Sequence, residues 1–187
     1  GRRRLTSFTG GALLRQRPDV AAIEADPCAF LRPASARDEM DRCFQAAVNA
    51  LGVGKDIAIV SAHSDEVVAR TIEEGRSSGL SPRQSAEAVA DALGSLCRRL
   101  ALHERLGGLV LTGGDIAVSC CRSLSASGIS VIQEVTPGIP LGVLKGGQCP
   151  GLGVVTKAGA FGGQDALCKA VDFLKLFRLS PGAESAA

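Results

Sequence analysis

Hydrophobic positions along this chain switch period repeatedly. Short β-branched runs that read as buried strands alternate with longer stretches whose apolar residues recur every three to four positions, as on one face of a helix. Asp19 to Glu24 reads as a first strand, and Ala36 to Leu51 as a helix with Met40, Phe44, Ala47, Val48 and Leu51 on one side, stopped by Gly52 and Gly54. Ile57 to Val60 is a continuous apolar strand, followed by a weaker helix from Asp65 to Glu74 and a polar loop from Gly75 to Gly79. Ser81-Pro82-Arg83-Gln84 is a helix start: the Ser side chain caps the first turn, Pro suits the first helical position and Gln reaches back to the cap. That helix is predicted to run to Glu104. Ala88, Ala92, Leu96 and Leu100 share its inner face, Arg83, Glu87, Arg98 and Glu104 face solvent, and no chemistry is expected of it. A strand at Leu109–Thr112, a helix at Ile116–Ser125, strands at Ser130–Glu134 and Gly153–Thr156 and a helix at Gln164–Phe177 complete the pattern. The stretch from Gln133 to Gly142, with Gly146-Gly147 beyond it, is turn-rich and predicted to lack regular structure.

Strands alternating with helices over nearly the whole chain predict an α/β fold, with a mainly parallel or mixed sheet flanked by helices. A chain of 187 residues with 45% hydrophobic content is long enough for one substantial core, so a single domain is expected. The 21 basic and 19 acidic residues nearly cancel, and beyond Arg2-Arg3-Arg4 the basic ones are scattered among acids. With aromatics at 3% and neither Trp nor Tyr, neither an electrostatic stripe nor a stacking platform for nucleic acid is present. No apolar run approaches the roughly 18 residues of a membrane span, and the N-terminus shows no secretory pattern, so a soluble, cytoplasmic protein is expected. The seven cysteines include no C-x-x-C pair and have no His at ligand spacing, which favours free, mostly buried thiols over a zinc site.

Candidate chemistry lies where strands run through glycines into helices. Leu109-Val110-Leu111-Thr112-Gly113-Gly114-Asp115-Ile116-Ala117 is one such place. A phosphate must approach the main chain closely, a Cβ would obstruct it, and the N–H groups of a helix's first turn point toward an anion. Gly113 and Gly114 are the expected donors, against the plainer reading of a tight turn with Asp115 as an ordinary first-turn acid. Val154-Val155-Thr156-Lys157-Ala158-Gly159-Ala160-Phe161-Gly162-Gly163-Gln164-Asp165 is a second such place. Lys157 stands at its strand end as a point charge for a phosphate or as a solvated lysine, and Asp165 is placed to help start the last helix. Phe161 is read as a hydrophobic plug under its loop rather than a base-stacking residue. Glu134 is open to a role at a ribose or a magnesium ion and to a structural pairing. His63 and His103 have no partner that would make a nucleophile pair, so structural or surface roles are expected.

Taken in order, Thr112-Gly113-Gly114-Asp115, Glu134 to Gly142 and Thr156 to Gly162 resemble the C-terminal nucleotide-binding domain of the four-carbon acid sugar kinases. The family pattern is T-G-G-[ED]-T-A, E-[IV]-x-P-G-[VI]-P and T-K-[SA]-G-[GN]-F-G. Asp26-Pro27 and the opening Leu5-Thr6-Ser7-Phe8-Thr9 extend the likeness in altered form. The resemblance implies ATP binding with Mg2+, at Gly113, Gly114, Asp115, Ile116, Lys157, Gly159, Ala160 and Gly162. It further implies phosphoryl transfer to threonate, erythronate or a 3-oxo-tetronate, held in a cleft against an N-terminal sugar-acid domain. The D-D-x-T-G motif of that other domain does not occur in these residues, so the acceptor-activating acid is expected there, and this stretch alone should bind ATP without turnover. A homo-oligomer is compatible with this reading. Ile116 stands where the family has Thr, Ala160 where it has Gly or Asn, and Arg2-Arg3-Arg4 where it has a serine-rich loop. Those departures keep open an alternative, a non-catalytic nucleotide- or anion-binding module derived from the family.

Overall fold

The computed structural model describes residues 3–7, 11–61, 64–158, 162–163 and 165–179. In chain order, β1 (Arg3–Ser7), α1 (Gly11–Gln16) and β2 (Val20–Glu24) are followed by the short α2 (Pro27–Phe30) and the long α3 (Pro33–Gly52). Next come β3 (Asp56–Val60), α4 (Asp65–Ser77), α5 (Pro82–His103), β4 (Leu106–Thr112) and α6 (Gly114–Ser123). The chain closes with β5 (Gly128–Thr136), β6 (Ile139–Lys145), β7 (Gly153–Lys157) and α7 (Ala166–Leu179). The seven strands form one sheet in the order β2-β3-β1-β4-β7-β6-β5. The first five in that order are parallel, and β6 and β5 add an antiparallel edge. The sheet is therefore mixed and flanked by helices, as the alternation predicts.

Strand period decides which helix packs where. Ile57 and Ile59 of β3, Leu109 and Leu111 of β4 and Val154 of β7 pack with residues of α3, α5 and α6. The alternate positions Ala58, Val110 and Val155 pack on the opposite side with Leu13 of α1 and Ala166, Leu167, Ala170, Val171 and Leu174 of α7. A strand buried on both faces needs apolar residues at consecutive positions, which is why β3 and β4 read as unbroken hydrophobic runs. Each fully buried Leu or Ile contributes about 1.5–3 kcal/mol by leaving water.

Helix starts follow the sequence signals closely. Ser81 makes a full capping box with Gln84, each side chain meeting the other's backbone N–H, and Ser64 caps α4 through the Val67 N–H. The inner face of α5 is rotated from the prediction toward Leu93, Leu96, Cys97 and Leu100, with Ala88 and Ala92 half-buried. Gly94 lies on this face: a Cβ there would lie 2.7 Å from the Ser119 carbonyl oxygen, so glycine lets α6 press directly against the α5 backbone.

Four elements escape the sequence pattern. β1, with two arginines in five residues, takes a central place, its Leu5 pairing with Ile57 on one side and Leu109 on the other. The strand expected first, at Asp19, is the edge strand β2. The short α1 and α2 were not predicted. The stretch expected to be irregular, Gln133 to Gly142, is instead the β5–β6 hairpin. Pro137-Gly138 forms its turn, with Gly138 at φ 78°, a conformation that favours glycine. Gly142 belongs to β6, where a Cβ would meet the Ser130 carbonyl oxygen at 2.5 Å. Proline and glycine here serve a turn and a close strand approach, so composition disguises regular structure. No described helix is long and apolar enough to cross a membrane.

Candidate functional site

The parallel strands β3, β4 and β7 all end at one edge of the sheet, and there the chain divides. After β4 it turns into α6 on one face; after β7 it enters α7 on the other. Neighbouring strands that send their connections to opposite faces leave a crevice at their carboxyl ends, the usual ligand site of open α/β sheets. A cavity of about 540 Å³ occupies this edge, bounded by Ser61 after β3, Thr112, Gly113, Asp115 and Ile116 at the β4–α6 junction, and Lys157 at the end of β7. Its remaining wall comes from α4 (Val68, Thr71, Ile72) and the first half of α5 (Pro82, Ser85, Ala86, Val89, Ala90, Leu93), with Pro27 at the rim.

The two glycine-bearing loops are joined by one hydrogen bond: the Gly113 N–H donates to the Lys157 carbonyl at 3.0 Å. This corrects the expectation for Gly113. Its N–H is engaged in tying the loops together, and at φ 88° it provides the sharp turn from strand to helix. The first-turn amides of α6, those of Gly114, Asp115 and Ile116, have no partner within the helix. Gly113 gives α6 no side-chain cap, whereas α2, α4 and α5 are capped by Asp26, Ser64 and Ser81. Space above Gly114 is open, with nothing within 4 Å of a Cβ built there. The N-terminus of α6, with its partial positive charge, thus faces the same cavity as the half-buried Lys157, whose Nζ donates to the Ala158 carbonyl at 3.2 Å.

The other candidate residues divide clearly. Gly162 has φ 82°, and a Cβ on it would come within 2.7 Å of both Ala166 and Ile139, so this glycine sits close against α7 and β6. Asp165 precedes α7 and accepts the Lys169 N–H at its carbonyl, while its carboxylate pairs with the Lys169 ammonium at 2.8 Å, which lowers its pKa. Glu134 accepts the Gly138 N–H at 3.1 Å and fastens its own hairpin turn, the structural alternative of its two roles. Gly159, Ala160, Phe161, Gln164 and His63 lie outside the described residues. His103 stacks obliquely on Phe44, 5.2 Å between ring centres, away from the cavity. Among the described residues no group of three or more His, Cys, Asp or Glu is placed to hold a metal ion. Burial pushes the Cys43 thiol up to about 12, in keeping with an inert core cysteine.

Sequence reasoning missed the α4–α5 wall and expected no chemistry from α5. A signal existed: Val68 and Ile72 are four apart on α4, and Ala86, Val89, Ala90 and Leu93 carry the inner apolar stripe of α5 on toward its N-terminus.

Fold and crevice together define an α/β domain of the open-sheet type with a ligand cleft at its strand ends. Residues 11–167 match the family described as the nucleotide-binding C-terminal domain. The chain belongs to this family, the C-terminal nucleotide-binding domain of the four-carbon acid sugar kinases. It is 50% identical over 102 residues to the D-threonate kinase of Bordetella bronchiseptica, covering 54% of this chain and 24% of that protein. It is 39% identical over 97 residues to the D-erythronate kinase of Heliobacterium modesticaldum, covering 51% and 22%. The D-threonate kinase of Cupriavidus necator aligns over 162 residues at 34% identity, covering 83% and 34%. The chain thus spans between about a fifth and a third of the length of these relatives. A domain-swapped dimer from Bordetella bronchiseptica solved with citrate superposes with a TM-score of 0.70 at 30% identity, over 94% of this chain and 41% of that one. A Haemophilus influenzae protein at 14% identity, TM-score 0.71, over 93% and 40%, shares the fold.

Proposed function

We propose that this chain is the ATP-binding domain of a cytoplasmic kinase that phosphorylates a hydroxyl of a four-carbon sugar acid of the threonate or erythronate type. The observation that carries the reading is the shared cavity, where the uncapped N-terminus of α6 and Lys157 converge and are held in register by the Gly113–Lys157 hydrogen bond. The names of the relatives support the acceptor class.

In this arrangement the amides of Gly114, Asp115 and Ile116 bind phosphate oxygens and the Lys157 ammonium neutralises charge on them. Among the described residues Asp115 is the carboxylate that lines the cavity. Magnesium fits such a site, because it takes one or two carboxylates together with nucleotide phosphates and needs no full protein cage. When bound, it supplies further charge neutralisation on the phosphates. Phosphoryl transfer depends on positioning and electrostatics more than on covalent help, and these groups provide that on the nucleotide side. The acceptor hydroxyl and its base belong to a partner domain outside these residues. The test is a coupled ADP-release assay on the complete protein with D-threonate and D-erythronate. Turnover that requires ATP, Mg2+ and one of these acids is expected; ATP binding without turnover on any four-carbon sugar acid contradicts the kinase reading.

A further inference from the structure

The cavity is divided by polarity. Its charged groups and strand-end hydroxyls, Ser61, Thr112, Asp115 and Lys157, sit at the sheet edge, and its far wall is aliphatic. On the α4 side, where Val68 and Ile72 belong to neither core cluster, that wall is not explained by the core. α4 buries only Thr71 and Gly75, and Val68 is 44% exposed. Among the described residues two polar side chains do belong to the wall, and both turn inward. The Thr71 hydroxyl donates to the Val67 carbonyl at 2.7 Å, and the Ser85 hydroxyl donates to the Ser81 carbonyl at 3.1 Å. Thr71 is 9% exposed and Ser85 1%. A hydroxyl already donating to its own helix has no proton left for a ring nitrogen or carbonyl of a base.

We propose that the nucleotide's base lies in an aliphatic slot between Val68 and Ile72 of α4, Ala86 and Val89 of α5 and Ile116 of α6, held by its faces and not read at its edge, so that the site takes purine nucleotides with little choice between them. The proposal rests on the nucleotide reading above and adds where the base sits and what selects it. The volume, about 540 Å³, suits a cofactor-sized ligand. An apolar slot favours any flat ring through burial, whereas strong discrimination needs buried groups that are left unpaired by the wrong ligand. Selection therefore falls to the phosphate end.

The test is calorimetry on the complete protein with Mg2+ and ATP, GTP or inorganic tripolyphosphate, comparing wild type with Ile72→Phe, which fills the slot with a ring. Val68→Phe, at the more exposed position, is the second variant should the first fail to fold. Expected are ATP and GTP affinities within about tenfold of each other, both well above tripolyphosphate, with both nucleotides falling to the tripolyphosphate level in the variant while tripolyphosphate itself binds as before. A preference for one purine above about tenfold, or a folded variant that keeps its nucleotide affinity, overturns the slot and leaves the nucleotide reading standing. Wild type that binds neither nucleotide overturns that reading as well.

Discussion

Gly94 is where the two helices beside the cavity are pressed together, and replacing it with alanine perturbs both packing and the site. The added Cβ would lie 2.7 Å from the Ser119 carbonyl oxygen and 2.8 Å from its carbon, against the 3.4 Å at which ordinary contact begins. Both obstacles are backbone, so no rotamer change relieves them and α6 must shift by about 0.7 Å or more. Overpacking of this kind costs about 1–3 kcal/mol, and a backbone clash belongs near the upper figure. Alanine recovers about 1 kcal/mol of helix propensity. The net loss is about 2 kcal/mol, and for a chain of this size that lowers the melting temperature by about 4–8 °C. Gly114→Ala is the internal control, since nothing lies within 4 Å of its Cβ and its stability should change by less than about 0.5 kcal/mol. Differential scanning calorimetry of both variants decides the matter. A Gly94→Ala protein that melts with wild type would refute the claim that glycine sets the α5–α6 distance.

Gly162→Ala combines a left-handed φ of 82° with contacts of 2.7 Å to Ala166 and Ile139, and should destabilise the protein by about 2 kcal/mol or more, measured by urea titration. Lys157→Met removes the cavity's lysine and should weaken ATP binding by about tenfold to a hundredfold, read by calorimetry, with little change in melting temperature. Arg17 holds the Asp19 carboxyl well below the usual carboxylate range, against the opposing effect of burial, with Lys175 adding to it. A depressed folded-state pKa stabilises the protein above the unfolded value of about 4, and that contribution is lost as pH falls below it. Arg17→Met should therefore lower stability at pH 7 by on the order of 1 kcal/mol and flatten its decline below about pH 4, followed by denaturant titrations across that range.

What was legible in the sequence tracks how locally each feature is determined. The capping box at Ser81, the apolar runs of β3 and β4 and the final helix are all encoded within a few residues and were read correctly in kind. β1 is selected by strands on both sides of it, which no local pattern records. The β5–β6 hairpin was obscured because Pro137, Gly138 and Gly142 carry turn and packing duties that look like disorder in composition. At the site, the ordered motifs pointed to the β4–α6 and β7 ends, and the structure brings Gly113, Asp115, Ile116 and Lys157 to one cavity. The engagement of the Gly113 amide and the contribution of α4 and α5 were not readable, since both depend on which segments the fold places side by side.

The central claim is that a nucleotide's phosphates lie against the first turn of α6. Calorimetric titration with ATP and Mg2+, on wild type and on Gly114→Val, tests it most directly, because the valine enters open space without requiring a left-handed backbone. The account predicts saturable binding by wild type that is lost in a variant melting within a few degrees of it. Equal affinity in the two proteins would contradict it.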